Sequence, residues 1–165
     1  VHLWGFPKKT EEFMVAHSAD VKKLWVRTKL TVLPEDYFFI QLPSDSKAIP
    51  GEWYRPATTR FAVFIREPNG ISLIVTRRKW LRLQNLFPKP KVSEPMKVIG
   101  FGWEISSLVP GCLSAIGTVL AEHNIQALPV STLASNHILV RKSDLPRTIR
   151  HLRQFIQKCR QPSSD

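Results

Sequence analysis

Apolar positions in the first half of the chain gather in short runs of strand formers between turn signals. Leu30-Thr31-Val32-Leu33 precedes Pro34-Glu35-Asp36, a turn signal, and residues 37–42 form a run of strand formers. Residues 43–60 hold Pro43, Pro50, Gly51 and Pro56 and read as an irregular connection, with at most one helical turn near Glu52-Trp53. Two apolar runs, residues 61–66 and 71–76, flank Glu67-Pro68-Asn69-Gly70 and predict a hairpin on an Asn-Gly turn. Pro88, Pro90 and Pro95 among Lys and Ser make residues 83–95 the best linker candidate.

In the second half a helical period appears. Residues 96–101 read as a strand. Residues 110–124 then predict a helix, with Leu113, Ile116, Val119 and Leu120 at three- and four-residue spacing, Pro110 in its first turn and Asn124 at its end. Residues 126–131 and 137–141 read as two strands around a polar loop, with Pro129 at an edge or bulge. A last helix, capped by Ser143 or Asp144, runs to about Cys159 on a stripe of Leu145, Ile149, Leu152, Phe155 and Ile156. Upstream, residues 11–27 carry a less regular helical pattern, with Phe13, Val21, Leu24 and Trp25 on one side.

The order in residues 96–159 is β-α-β-β-α, most of a ferredoxin-like βαββαβ unit. The first half shows a strand, an irregular stretch and a hairpin. The expected fold is therefore α+β, two ferredoxin-like units with the first degenerate. The division runs as an N-terminal arm (1–28) that packs or meets a partner, a first unit with linker (29–95) and a complete second unit (96–160).

Composition narrows the partners. The chain has 165 residues, 24 Lys+Arg, 13 Asp+Glu and a formal net charge of +11. Residues 1–95 hold 16 basic and 9 acidic residues and residues 96–165 hold 8 and 4, so the excess is spread and forms no tail. The densest cluster is Arg77-Arg78-Lys79-Trp80-Leu81-Arg82. It reads as a solvated strand end with Trp80 in the core; the alternative is phosphate contact with base stacking. No nucleic-acid motif accompanies it, so no specific nucleic acid is expected, and an acidic protein partner stays open. No apolar run approaches the ~18 residues of a membrane span, so no membrane partner is expected. The opening residues are too short and aromatic for a secretory signal, and the absent initiator Met fits processing or a longer parent. Two distant cysteines, Cys112 and Cys159, suit a reducing, cytoplasmic setting.

One place carries candidate chemistry. A helix starting at Pro110-Gly111 would leave the N–H groups of Gly111, Cys112 and Leu113 unpaired beside a partial positive charge, and Gly111 has no side chain to block an anion. The plain alternative is that Pro-Gly only starts a helix. An enzyme reading would take Cys112 as a thiolate with His137, His123 or Glu104 as its base. No Cys-His spacing supports it. The five histidines show no metal-ligand spacing, and neither metal nor cofactor is expected.

Residues 107–113 (Ser-Leu-Val-Pro-Gly-Cys-Leu), 120–125 (Leu-Ala-Glu-His-Asn-Ile), Ser131-Thr132 and 137–145 (His-Ile-Leu-Val-Arg-Lys-Ser-Asp-Leu) carry a resemblance. Together with the 61–76 hairpin they resemble the stand-alone tandem ACT-domain proteins, related to the ACT repeats of cytosolic arginine sensors. The resemblance implies two ACT units side by side, binding a small carboxylate or amino acid at the junction of units or subunits, and a homodimer. It implies two ligand-binding places. One is the turn Val109-Pro110-Gly111-Cys112-Leu113, and the other is the loop from Ser131-Thr132 to Asn136-His137. Asn136 stands where relatives often carry an aspartate that holds an α-amino group. The sensing module is the leading expectation. A small enzyme on the same scaffold, using Cys112, His137 or Glu104, is the alternative.

Overall fold

The hairpin supplies the clearest case of sequence dictating register. The computed structural model describes residues 19–44, 46, 61–103 and 110–161. In it β3 (Val63–Glu67) and β4 (Gly70–Thr76) pair antiparallel from Glu67 and Gly70 outward. The central turn residues are Pro68 and Asn69, one position before the expected Asn-Gly pair. Proline presets the backbone angle that the second turn position needs. Gly70 then takes φ 148° as the first residue of β4, and a Cβ there would lie 2.3 Å from the Leu42 carbonyl oxygen.

The chain divides into two compact units, residues 33–98 and residues 1–32 with 99–165. The continuous unit (33–98) holds β2 (Tyr37–Leu42), β3, β4, α2 (Arg77–Leu83), a 3-10 turn (Gln84–Leu86), β5 (Lys91–Val92) and the start of β6 (Met96–Gly100). β4 lies between β3 and β2. Its register pairs Ile40 with Leu73 and Leu42 with Ile71, so alternate residues of both strands share one face. Trp80 and Phe87, stacked at 6.4 Å between centroids, pack into the cluster on these side chains. The opposite positions Gln41 and Ser72 also pair, and the Ser72 hydroxyl donates to Gln41 Oε1 at 2.8 Å.

Two expectations change here. Residues 77–83 are a helix and not a strand end, with the Thr76 hydroxyl as N-cap accepting from the Lys79 N–H. The 83–95 stretch is more than a linker: β5 pairs with Ile40 and Gln41, and the Ser93 hydroxyl accepts from the Phe39 N–H at 2.9 Å.

The discontinuous unit holds α1 (Ala19–Arg27), β1 (Thr31–Val32), the end of β6, α3 (Cys112–Ala121), β7 (Ala127–Ser131), β8 (Asn136–Arg141), a 3-10 turn (Lys142–Asp144) and α4 (Leu145–Arg160). From β6 onward the order is the expected β-α-β-β-α. β8 lies between β6 and β7, so β7, with Pro129, is the edge strand, as its proline requires. On the other side of β6 lies β1, pairing Thr31 with Gly100 and Val32 with Ile99. The strand completing this ferredoxin-type sheet thus precedes the unit in sequence.

Both helix stripes keep most of their expected positions, with residues added or lost along one flank. α3 buries Cys112, Ala115, Ile116, Val119 and Leu120, leaving Leu113 40% exposed. α4 buries Thr148, Leu152, Phe155, Ile156 and Cys159, and Leu145 and Ile149 pack only partly. The Thr148 hydroxyl reaches the core because it donates to the Asp144 carbonyl at 2.9 Å. α1 adds Val21 and Trp25 to the same core. Trp25 is fully buried and meets Phe101, Trp103 and Phe155 edge-on at centroid distances of 5.9, 5.0 and 4.9 Å.

Candidate functional site

The turn before α3 is shaped by Gly111. Pro110 lies outside the helix, and Gly111 is its N-cap, exposed and left-handed at φ 94°. Only glycine takes that conformation without strain. The Gly111 carbonyl accepts the Ala115 N–H at 3.0 Å, the first intrahelical bond. The amides of Cys112, Leu113 and Ser114 precede that bond and have no carbonyl four residues back within the helix. Cys112 is buried among the core side chains, so what it offers this turn is its backbone. Leu113 is exposed. Glu104 and Val109 lie outside the described residues.

The second expected place divides in two. Thr132 uses its hydroxyl within the loop, donating to the Ser135 carbonyl and accepting the Ser135 N–H, with Leu133 exposed at the tip. Ser131 pairs in register with Asn136 across the loop. Asn136 is fully buried. Its Nδ2 donates to the Trp103 carbonyl at 3.1 Å and its backbone carbonyl accepts the Phe101 N–H at 3.0 Å. Its Oδ1 is buried with no hydrogen-bond partner among the described residues. The neighbouring ring of His137 packs against Gly100, where an added Cβ would come within 3.3 Å of it. Burial lowers the His137 pKa.

The structure therefore joins Asn136 and His137 to the chain leaving β6, through Trp103 and Gly100. Neither partner was a sequence candidate. The available signal was an aromatic-glycine run, Phe101-Gly102-Trp103, at the end of a predicted strand.

Two open clefts lie along α3. One, of about 340 Å³, is mostly apolar and runs past Leu113, Gly117, Ala121, Ile125 and Pro129. The other, of about 370 Å³, lies at the far end of the helix and is lined by Asn124, Gln126, Arg141 and Asp144. Of the described candidate residues only Leu113 lines either cleft. Among the described residues no group of His, Cys, Asp and Glu could hold a metal, and no described helix is long and apolar enough to cross a membrane.

A family profile described as ACT domain matches residues 95–154. No curated protein sequence matches the chain. Among solved structures, a protein of unknown function from Vibrio cholerae, described as a possible transport protein, aligns with TM-score 0.64 and 21% identity, covering 83% of this chain and 96% of that one. A protein from Agrobacterium tumefaciens aligns with TM-score 0.60 and 24% identity over 78% of this chain and 88% of that one. The regulatory subunit of aspartate kinase from Thermus thermophilus aligns with TM-score 0.53 and 7% identity over 77% and 97%. At these identities the likeness to the solved structures is one of fold, and residues 95–154 are the stretch similar to the ACT family.

Proposed function

We propose that the chain is a small-molecule-binding regulatory module that takes an amino acid or a related carboxylate at the start of α3. The observation that carries this reading is the ACT match over residues 95–154, which contains both the Gly111 turn and the Ser131–Asn136 loop. An exposed left-handed glycine at the N-terminus of a helix, where the helix carries a partial positive charge, suits a carboxylate. The regulatory subunit of aspartate kinase with a similar fold supports the regulatory role. The edge strand β7 and the exposed Leu113 beside it are where a second copy would dock to form the homodimer.

Native mass spectrometry of the purified chain, followed by thermal shift with the extracted acid, tests the reading. Ligand at about a hundred times its dissociation constant adds about 2.7 kcal/mol to the native state. Any side chain at position 111 meets backbone strain, so Gly111→Ala serves as the strain control for Gly111→Glu. The alanine variant is expected to keep the ligand-induced shift and the glutamate variant to lose it. An equal shift in both places the ligand elsewhere.

A further inference from the structure

Residues 77–92 contain Arg77, Arg78, Lys79, Arg82, Lys89 and Lys91 and no Asp or Glu. Their exposed surface is not purely charged. Leu81 is 47% exposed, Leu86 58% and Val92 42%. Within α2 a rotation of about 100° per residue places Arg77, Leu81, Arg78 and Arg82 on one arc of about 140°. Trp80 and Leu83, on the other side, pack into the core. The solvent-facing side of this helix is thus three arginines around a leucine, and the chain continues into a second exposed leucine and two lysines. Arg77, Arg78 and Arg82 form no ion pair with any described acidic residue.

We propose that this surface docks on an anionic lipid bilayer. Cations attract the headgroups, each adding about a factor of five in binding at such a surface. Exposed leucines between them can enter the boundary between headgroups and acyl chains. One observation separates this occupant from nucleic acid. Base stacking needs exposed aromatic faces, and here Trp80 and Phe87 are buried against each other. The basic side of α4 offers the contrast, because Arg150 and Arg153 are exposed there with no large exposed hydrophobic on that helix. Hydropathy excluded only a spanning segment and is silent on surface docking.

Co-sedimentation of the full chain with vesicles tests the proposal. Vesicles of phosphatidylcholine with about 30% phosphatidylserine are expected to bind it, and phosphatidylcholine alone to leave it in solution. Arg77→Glu with Arg82→Glu is expected to weaken partition by at least about tenfold. Arg150→Glu with Arg153→Glu makes the same change in net charge and is expected to cost less than about threefold. Leu81→Ser, which leaves the charge alone, is expected to weaken binding about threefold or more. Arg78→Gln with Arg82→Gln repeats the test should the glutamate pair melt early. Absence of phosphatidylserine-dependent binding, equal losses in the two charge-reversed pairs, or tighter capture by duplex DNA than by vesicles at physiological salt overturns it.

Discussion

The indole N–H of Trp103 donates to the hydroxyl of Thr28 at 2.8 Å, joining residues 75 positions apart. The bond is buried, and the same hydroxyl donates onward to the Leu24 carbonyl at 3.0 Å. It ties the end of α1 to the chain that leaves β6, beside the carbonyl that holds Asn136. The described end of the stretch read from sequence as an arm, residues 19–28, therefore anchors the support of a candidate site residue.

Thr28→Val keeps the shape of the side chain and removes both bonds, leaving the Trp103 N–H buried and unpaired. The expected loss is about 1–3 kcal/mol of stability, and Thr28→Ser is expected to lose less than about 1. The midpoint of urea unfolding distinguishes the two.

Gly70 and Gly117 should respond to alanine with opposite signs. At Gly70 the backbone is at φ 148° and the new Cβ meets the Leu42 carbonyl oxygen at 2.3 Å. Gly70→Ala is expected to cost at least about 2 kcal/mol. At Gly117, inside α3, nothing lies within 4 Å of the new Cβ. Gly117→Ala is expected to add about 0.5–1 kcal/mol through helix propensity. Thermal melts of both variants check the pair.

Acid should weaken the fold through two histidines. Burial lowers the pKa of His137. His123 is exposed, and partial desolvation still lowers its pKa, helped by the charges of His151, Arg147 and Lys158 and opposed by Glu122. His123 stacks on His151 at 3.4 Å between centroids. The folded-state values lie below the ordinary value of 6.5. The unfolded chain therefore binds more protons, and stability falls as pH drops through 6.5 toward the folded-state values. Above that window their contribution is fully present. Denaturation midpoints between about pH 5 and 8 should show this slope, and His137→Gln should make it shallower.

Most of the framework was legible because local signals agreed with tertiary demand. Residues 37–42 form strand β2 over the expected span, and the order from β6 to α4 follows from period alone. The misreadings come from competition that one dimension does not show. Leu113 fits a helical apolar stripe as well as Cys112 does, and only the position of the sheet turns Cys112 inward. Residues 77–83 lack the length for a clear period, and Thr76 capped a helix where a strand end was expected. Pro-Gly marked the turn but misplaced it by one step: Pro110, expected in the first helical turn, lies outside α3, and Gly111 is the N-cap. The Asn136–Trp103 bond was not, because it joins residues 33 apart through a backbone carbonyl, which any residue type supplies.

That bond also sets what an aspartate would do at position 136. The Asn136 Nδ2 donates to the Trp103 carbonyl, and Oδ1 is buried without a partner among the described residues. An ionised carboxylate there has no proton to donate and would be desolvated, so its pKa would rise. Asn136→Asp is expected to cost about 1–3 kcal/mol near neutral pH. Protonated, the acid can again donate to Trp103. With the folded pKa above the unfolded value near 4, the variant should regain stability relative to the parent as pH falls toward 4. An α-amino ligand placing its ammonium beside this carboxylate would also offset the penalty, so added ligand should stabilise the variant more than the parent at neutral pH. Unfolding midpoints of parent and variant between about pH 4 and 7, with and without a panel of amino acids, read both effects. A variant as stable as the parent at neutral pH would show that the Trp103 carbonyl does not depend on this donor.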